Sequence, residues 1–302
     1  TCTIRDTLDR GAQARVYEVE APLLTGRRAL KCASFDTAKN EIMVLLRLND
    51  GKSHRNVIRI DSVYSPLGSL ELLYVMELIT GPSKEVRNLE QAAKSGVLYE
   101  GSDSVVQARL ESLGLQLASA IEYIHSRGIV HQDIKPANIL IDATRPEAWR
   151  LVLADCGVAS IVEKEETSAN EASSMRVVGA ELKGCTPLFC SEEVFEGYQR
   201  AVRHGERGQC TYKADIWCFA TTVLRLYHGT TKKQVWRVLV KREGGVEAAF
   251  EERRHEMPAR LREAVLKILL GQDMTATELV TQLQGARTPL LIEQGIEARR
   301  VS

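Results

Sequence analysis

The sequence predicts an α+β fold in which a strand-rich first part is followed by a mostly helical second part. Short stretches that alternate apolar and polar residues recur up to Met76, as in half-buried strands. After Gly81 and Pro82 the apolar residues recur every three or four positions, as on one face of a helix. A chain of 302 residues can form one two-lobed domain or two small ones, with a sizeable core.

The first part contains one predicted helix among short predicted strands. The helix covers residues 39–48, where Ile42, Leu45 and Leu46 share a face, and it ends at the turn signal that begins with Asn49. The strands are predicted from their alternating or β-branched character. They cover residues 16–19, 28–33, 57–60 and 72–76.

The second part is dominated by a long predicted helix over residues 105–125, in which Val106, Leu110, Leu113 and Leu117 keep helical spacing. Further helices are predicted at residues 212–227, 234–241, 260–270 and 276–283. Residues 163–174 are polar and are expected to be mobile, because they cannot bury enough apolar surface to offset their ordering entropy. Residues 200–209 are basic and contain glycine, which favours a solvated surface loop over a docking site.

The composition excludes several classes of protein. Lysine plus arginine and aspartate plus glutamate both number 40, so nothing suggests nucleic acid or an anionic membrane as the main partner. Seven scattered cysteines without a C-x-x-C pair predict reduced thiols in an intracellular protein, cytoplasmic or nuclear, without a zinc site. No apolar run is long enough to span a bilayer. Without an initiator methionine or a signal peptide, the chain is expected to be trimmed.

One short loop concentrates residue types that suit phosphoryl transfer. Asp133, Lys135 and Asn138 lie between apolar flanks, and Asp155 follows the apolar residues 151–154. A carboxylate can accept a proton from an attacking hydroxyl, and a lysine can neutralise a transferring phosphoryl group. Asparagine and aspartate oxygens can bind magnesium. A turn-stabilising aspartate is the plainer interpretation of Asp133 alone, but the register of the other residues favours catalysis.

The run over residues 129–140 resembles the catalytic loop of eukaryotic protein kinases, and residues 155–157 look like a variant of their D-F-G motif. The resemblance extends over roughly residues 8–283. It implies a two-lobed kinase fold, with an antiparallel-sheet N-lobe that contains one main helix and a mostly helical C-lobe. The implied divisions are the N-lobe and hinge at residues 1–79, the C-lobe at 80–285 and a C-terminal tail at 286–302.

The resemblance also implies a role for each catalytic residue. Asp133 would be the catalytic base, and Lys135 would stabilise the moving phosphoryl group, a pattern that goes with Ser/Thr substrates in this family. Asn138 and Asp155 would bind the Mg²⁺ that bridges the ATP phosphates. Thr186, in the stretch that resembles the end of the kinase activation segment, would lie near Asp133 and Lys135.

The nucleotide contacts follow from the same resemblance. Lys31 looks like the strand lysine that contacts the α- and β-phosphates, and Glu41 on the following helix is its implied acidic partner. Met76 looks like the gatekeeper, and backbone groups of Glu77 and Ile79 would bind the adenine edge. The implied ATP contacts are Leu8, Gly11, Val16, Ala29, Lys31, Met76, Glu77, Ile79 and Leu140.

The chain departs from the family pattern in its glycine-rich loop and its D-F-G motif. Only Gly11 remains of three glycines, Asp9 brings negative charge to the phosphates, and an alanine at position 14 would be strained if the site needs positive φ. Cys156 replaces a phenylalanine that packs under the N-lobe helix. Inert packing is favoured for Cys156 over a redox role.

Two further departures concern the activation segment, residues 155–193. Gln132 replaces the arginine that receives an activation-loop phosphate in the family, so activity is expected to depend little on such a phosphate. Asp273 stands where the arginine partner of Glu193 is expected, so that ion pair is absent or made elsewhere. Asp215 resembles the aspartate that braces the catalytic loop, and it also suits a helix N-terminus.

Three functions remain open from the sequence. The first is a Ser/Thr protein kinase that transfers the γ-phosphoryl of Mg-ATP to hydroxyls of a protein substrate. The second is a pseudokinase that acts as a nucleotide- or partner-binding scaffold. The third is a small-molecule kinase of related fold, which is disfavoured because such enzymes usually lack the Thr186-Pro187 activation segment and the helix at Asp215-Ile216-Trp217.

Overall fold

The computed structural model describes residues 3–10, 14–20, 26–145, 148–165, 176–228, 245–246, 250 and 255–285. Three sequence predictions lie entirely outside these residues: the nucleotide contact Gly11, the helix at 234–241 and the tail at 286–302. Within them, the predicted α+β class is confirmed. The limits of the predicted lobes stay predictions.

The first part of the chain forms a five-stranded antiparallel sheet covered by one helix. The sheet order is β1-β2-β3-β5-β4, with every neighbouring pair antiparallel. Helix α1, Phe35–Asn49, begins after Ser34, whose hydroxyl accepts a hydrogen bond from the Thr37 N–H as an N-cap. The strands are β1 Thr3–Arg10, β2 Ala14–Glu20, β3 Arg27–Ser34, β4 Ile60–Tyr64 and β5 Glu71–Glu77.

The strand predicted at residues 57–60 is wrong in its position, because β4 begins only at Ile60. Val57 and Ile58 are buried, but their backbone pairs elsewhere. Val57 forms an isolated bridge with Leu153 from the second part of the chain, and the Ile58 N–H donates to the Leu153 carbonyl at 2.9 Å. This apolar run thus connects the sheet to the helical part of the chain. The periodicity of a sequence does not reveal which distant segment such a run pairs with.

The second part is built around the long helix α3, which packs against the buried helix α5 and against the last helix of the described chain. The helices predicted at 105–125, 212–227, 260–270 and 276–283 are confirmed, with ends that shift by one or two residues. The helices are α2 Leu89–Ser95, α3 Asp103–Ser126, α4 Glu192–His204, α5 Tyr212–His228, α6 Ala259–Leu269 and α7 Ala276–Gln284, with 3-10 helices at Val97–Tyr99 and Pro136–Asn138.

Short strands connect the helices and shape the loops between them. Three small antiparallel sheets form, pairing β6 with β9, β7 with β8, and β10 with β11 and β12 in that order. These strands are β6 Ile129–Val130, β7 Ile139–Asp142, β8 Arg150–Leu153, β9 Ser160–Ile161, β10 Glu163–Glu165, β11 Arg176–Glu181 and β12 Gln209–Cys210.

Both predicted loops contain regular structure. The start of the stretch at 163–174 forms β10, while residues 166–175 lie outside the described residues. The basic stretch at 200–209 was expected to be a loop, but α4 continues through its first half to His204 and Gln209 begins β12. Helix α4 has no fully buried residue, so its sequence is as polar as that of a surface loop. The helix ends at Gly205, which adopts the left-handed conformation.

Gly81, just after β5, lies where no side chain fits. A Cβ on Gly81 would come within 1.7 Å of the Val86 carbonyl oxygen, which is backbone and cannot rotate away. We expect Gly81→Ala to lower the free energy of unfolding by about 1–3 kcal/mol through overpacking. Gly197→Ala in α4 is the control, because its Cβ would meet only Leu182 at 3.6 Å, and it should be neutral or stabilise by up to about 1 kcal/mol. Urea unfolding measures both; equal midpoints would contradict the prediction.

Within the described ranges, no helix combines the length and the apolar character that crossing a bilayer requires.

Candidate active site

Asp215 at the start of α5 anchors the loop that carries Asp133. Its fully buried carboxylate accepts hydrogen bonds from the N–H groups of His131 and Gln132, both at 2.8 Å. Its Oδ2 also lies 3.0 Å from Nε2 of His125 on α3. Gln132 adopts a positive φ of 69°, a strained conformation for a residue with a side chain. The anchored backbone therefore sets the direction in which Asp133 leaves the loop.

The Asp133 carboxylate accepts hydrogen bonds from three polar side chains. Its Oδ2 accepts hydrogen bonds from Lys135 Nζ at 2.6 Å and from Asn138 Nδ2 at 2.9 Å. Its Oδ1 accepts one from the Thr186 hydroxyl at 2.5 Å, and Lys135 also donates to that hydroxyl at 2.9 Å. The structure thus brings together a carboxylate, a cation and a hydroxyl from the predicted activation segment, and a carboxylate in such a position can serve as a general base.

Asn138 and Asp155 are brought together by the β7–β8 hairpin. Ile139 pairs with Leu153, and the Ala154 N–H donates to the Asn138 carbonyl at 3.0 Å, which places Asp155 beside Asn138. Asp155 adopts a positive φ of 62°, and its side chain is about half exposed, at 54%.

These two side chains fit a magnesium ion. The Asn138 Nδ2 donates to the carbonyl and to the carboxylate of Asp133, so its Oδ1 remains as an oxygen ligand. The described residues contain no cluster of three or more His, Cys, Asp or Glu side chains that would form a complete protein cage. A site with few protein oxygens suits Mg²⁺, which keeps water and substrate phosphates as its other ligands.

Lys31 and Glu41 form a buried ion pair between β3 and α1. The Lys31 Nζ lies 2.6 Å from Glu41 Oε2 and 3.6 Å from Asp155 Oδ1. Burial opposes the charge of Lys31, but Glu41 and Asp155 outweigh it and raise the pKa of the lysine. The ammonium is therefore held, charged, next to the proposed metal ligand.

The other predicted nucleotide contacts lie on the sheet and on β7. Val16 pairs with Lys31 across β2 and β3, and Ala29 pairs with Met76 across β3 and β5. Leu8 is half-buried on β1, and Leu140 is half-buried on β7. The sheet register thus places Val16 and Met76 on the two strands that flank β3, which carries Ala29 and Lys31.

The predicted hinge begins at Glu77, the last residue of β5, whose backbone N–H is already hydrogen-bonded. The Glu77 N–H donates to the Arg59 carbonyl at 3.0 Å. Of the backbone groups of Glu77, the carbonyl oxygen is therefore the candidate for the predicted adenine contact. The Glu77 carboxylate lies 3.3 Å from Arg150. Ile79 is buried, at 6% exposed.

Ala14, near the end of the predicted glycine-rich loop, is free of the strain that a positive φ would cause. Ala14 is the first residue of β2 and pairs with Ala33, and its φ is not positive. Asp9 pairs with Val16 and is exposed on β1.

Gln132 holds the activation segment directly through its carboxamide. Its Nε2 donates to the Glu181 carbonyl at 2.8 Å, and its Oε1 accepts from the Lys183 N–H at 2.9 Å. The Ser160 hydroxyl donates to the same Glu181 carbonyl at 2.7 Å. Both bonds of Gln132 are made to main-chain groups without any phosphate.

Two more elements hold the same segment. Asn40 on α1 donates to the carbonyls of Gly157 and Ala159 and accepts from Lys183 Nζ at 2.6 Å. On the opposite edge, β12 pairs with β11, and the Leu182 N–H donates to the Gly208 carbonyl at 2.9 Å. The activation segment is thus bonded to α1, to the catalytic loop and to the chain that follows α4.

These contacts support a prediction about regulation. Main-chain hydrogen bonds to Gln132 take the place of a phosphate contact. Treating the protein with a phosphatase should therefore change its initial rate of phosphoryl transfer by no more than a few-fold. Mass spectrometry before and after treatment verifies that residues 160–174 carry no phosphate in the treated sample. A rate that rises by orders of magnitude when this stretch is phosphorylated would contradict the prediction.

Cys156 is a buried packing residue. It is 2% exposed, and burial raises the pKa of its thiol well above the usual range, with Glu41 and Asp155 adding to the effect. A thiol that stays protonated and is shielded from solvent is a poor nucleophile, which supports packing over redox chemistry.

Asp273, which stands in place of the expected arginine, pairs with a different residue. Its Oδ1 lies 2.6 Å from Nζ of Lys213 at the start of α5. In the described part of the chain no ion pair is found for Glu193, whose helix α4 is instead capped by the Ser191 hydroxyl.

Sequence reasoning did not identify three residues that contact the site: Asn40, Tyr74 and Lys183. Tyr74 lies in the middle of β5, and its hydroxyl donates a hydrogen bond to Glu41 Oε2 at 2.7 Å. Its one signal was a hydroxyl on an otherwise aliphatic buried strand, since a buried tyrosine normally needs a hydrogen-bond partner. Asn40 and Lys183 carried no signal, because polar residues on a helix surface or in a loop are common.

Comparisons with known proteins agree with this geometry. The protein kinase domain family matches residues 6–260. Similar proteins include CBL-interacting protein kinase 25 of Oryza sativa subsp. japonica, 29% identical over 70% of this chain and 35% of the relative. Calcium/calmodulin-dependent protein kinase type IV of Homo sapiens is 31% identical over 64% of this chain and 36% of the relative.

The chain spans about a third of the length of these two relatives. The family match, by contrast, covers most of this chain and includes the five-stranded sheet, the catalytic loop and the helices through α5. The two-lobed α+β architecture of the family is therefore that of this protein. The chain belongs to the protein kinase family.

Proposed function

We propose that this protein is a Ser/Thr protein kinase that transfers the γ-phosphoryl group of Mg-ATP to a hydroxyl of a protein substrate. The observation that carries the proposal is the carboxylate of Asp133, which is hydrogen-bonded to Lys135, Asn138 and Thr186. The intact pair of Lys31 and Glu41 supports it, because a phosphate-binding lysine is held charged beside the metal-ligand candidate Asp155.

In this mechanism Asp133 orients the acceptor hydroxyl and takes its proton as the oxygen attacks phosphorus. Lys135, 2.6 Å from Asp133, places a positive charge beside the transferring group. Asn138 and Asp155 would hold Mg²⁺, which supplies charge neutralisation on the ATP phosphates. Lys31 binds the α- and β-phosphates, and Glu41 keeps Lys31 in position.

The nucleotide would lie against Leu8, Gly11, Val16, Ala29 and Met76, with the backbone of Glu77 and Ile79 at the adenine edge and Leu140 below it. The register of β2, β3 and β5 supports the placement of Val16, Ala29 and Met76. We assign residues 1–79 to the N-lobe and hinge, 80–285 to the C-lobe and 286–302 to the tail.

Serine and threonine are the proposed acceptors because Lys135 and Thr186 together contact Asp133. One relative that is 27% identical over 72% of this chain and 26% of its own length is named a probable serine/threonine-protein kinase, mkcF of Dictyostelium discoideum. The buried residues Cys156, Cys210 and Cys218 are free thiols, which supports an intracellular site of action, in the cytoplasm or the nucleus.

A pseudokinase that binds a nucleotide or a partner is the second candidate. The single glycine in the stretch at 8–16 and the small Cys156 favour it. The complete set of Lys31, Glu41, Asp133 and Asp155 opposes it, since each of these groups has the neighbours that catalysis needs.

Intact-mass spectrometry tests the proposal. The protein is incubated with Mg-ATP and a generic protein acceptor, beside Lys31→Met, which removes the phosphate-binding charge. Lys39→Met is the matched control, because Lys39 lies on α1 and contacts the exposed Asp36 and Phe35 at the start of the same helix. We expect phosphoryl mass increments with the wild type and Lys39→Met, and none with Lys31→Met. Nucleotide binding without any phosphoryl transfer by the wild type would favour the pseudokinase.

A further inference from the structure

Tyr74 shares a carboxylate oxygen with the phosphate-binding lysine. Its side chain is completely buried, at 0% exposed, and its hydroxyl donates to Glu41 Oε2 at 2.7 Å. The same oxygen accepts from Lys31 Nζ at 2.6 Å. One carboxylate oxygen thus receives a hydrogen bond from a strand tyrosine and another from a strand lysine.

The sheet register explains why Tyr74 reaches this oxygen. Tyr74 on β5 is the direct partner of Lys31 on β3, so both side chains project from neighbouring positions on the same face. The Lys31 ammonium lies 5.8 Å from the centroid of the Tyr74 ring, within the range of a cation–π contact. Glu41 approaches this face from α1, where it is 4% exposed.

A buried carboxylate needs more than one partner, because desolvation penalises its charge. For Glu41 the second partner is the Tyr74 hydroxyl. Burial and then Glu41 itself raise the pKa of Tyr74, so the phenol remains a proton donor at any physiological pH.

Cys156 increases the importance of this contact. Its small side chain follows Asp155 and belongs to the same buried cluster as Tyr74 and Leu45 of α1. A cysteine fills less space under α1 than a large aromatic residue would. Tyr74, one of the largest fully buried side chains in the described chain, supplies an aromatic ring to this cluster and a hydrogen bond to Glu41 on α1.

We propose that Tyr74 is a positioning residue that fixes Glu41, and through it Lys31 and helix α1, in the arrangement required for phosphoryl transfer. Its kinetic consequence rests on the proposed kinase activity, whereas its effect on α1 does not. Tyr74→Phe removes only the hydroxyl and keeps the buried ring, so packing is preserved.

The kinetic test measures kcat and both KM values for Tyr74→Phe. Loss of a hydrogen bond to a charged group should lower kcat about tenfold, with the KM of the protein acceptor and the thermal unfolding midpoint little changed. Tyr227→Phe is the matched control, since Tyr227 is also buried and its hydroxyl has no hydrogen-bond partner in the described chain. This variant should keep wild-type kinetics. An unchanged kcat in Tyr74→Phe would overturn the proposal.

A second comparison separates positioning from general stability. In a Glu41→Gln background the group that accepts the Tyr74 hydrogen bond is neutral. Adding Tyr74→Phe should therefore lower kcat by a much smaller factor than it does in the wild type. The same tenfold loss in both backgrounds would show that Tyr74 does not act through Glu41, and would overturn the proposal.

Hydrogen–deuterium exchange provides a test without catalysis. Amides of α1 around Glu41 should exchange faster in Tyr74→Phe than in the wild type, and at the wild-type rate in Tyr227→Phe. If the wild type transfers no phosphoryl group, the proposed function fails. The exchange rates still test whether Tyr74 fixes Glu41 and helix α1. Equal exchange in α1 of all three proteins would overturn the role of Tyr74 even in an active kinase.

Discussion

Asp133→Asn is expected to lower kcat by about 10²–10⁴-fold, the usual contribution of a positioned general base. The carboxamide has nearly the same shape as the carboxylate, but it cannot accept the proton of the attacking hydroxyl. It also loses the charge that holds Lys135 at 2.6 Å. ATP affinity should remain within a few-fold of the wild type, since Asp133 is not among the residues proposed to contact the nucleotide.

The matched control for this variant is Asp142→Asn. Asp142 lies on β7, has a similarly small exposure and, like Asp133, accepts from a cation and from a threonine hydroxyl, here those of Arg150 and Thr144. Because it is outside the proposed catalytic cluster, its loss should leave kcat close to the wild type. Steady-state rates with a protein acceptor measure both variants. If Asp133→Asn keeps more than about a tenth of the wild-type kcat, Asp133 is not the base.

Asp155→Asn is expected to reduce phosphoryl transfer by about 10³-fold, because a bound metal ion supplies several kcal/mol of charge stabilisation. An amide oxygen is a weaker Mg²⁺ ligand than a carboxylate, so the half-saturating Mg²⁺ concentration should rise as well. The variant also removes the charge 3.6 Å from Lys31, although the half-exposed Asp155 contributes less to Lys31 than the buried Glu41 does.

Initial rates measured over a range of Mg²⁺ concentrations test this second prediction. Asp273→Asn is the control, since Asp273 is an exposed aspartate paired with a lysine, as Asp155 is with Lys31, but its partner is Lys213 on α5. Its Mg²⁺ dependence should match that of the wild type. Removal of Mg²⁺ with a chelator should abolish transfer by all three proteins. An unchanged Mg²⁺ dependence in Asp155→Asn would show that Asp155 is not a metal ligand.

Local patterns in the sequence were sufficient for much of the fold. The spacing of Val106, Leu110 and Leu113 predicted α3, because a helix that buries one face must repeat its apolar residues at that interval. The strand at 57–60 was misplaced since Val57 and Ile58 bond to Leu153, about a hundred positions later in the chain. An apolar run shows that a segment is buried, but it does not show which segment covers it.

By itself, the sequence determined the hydrogen-bonded cluster of Asp133, Lys135 and Asn138, since three groups within six residues of one loop are held together by covalent spacing and a short turn. Only the tertiary structure decided how that cluster is supported. The bond from Tyr74 to Glu41 and the bonds from Gln132 to the activation segment join positions that are 33 and about 50 residues apart. The residue type determines which hydrogen bonds a side chain can form, whereas the packing of separate elements determines its partner.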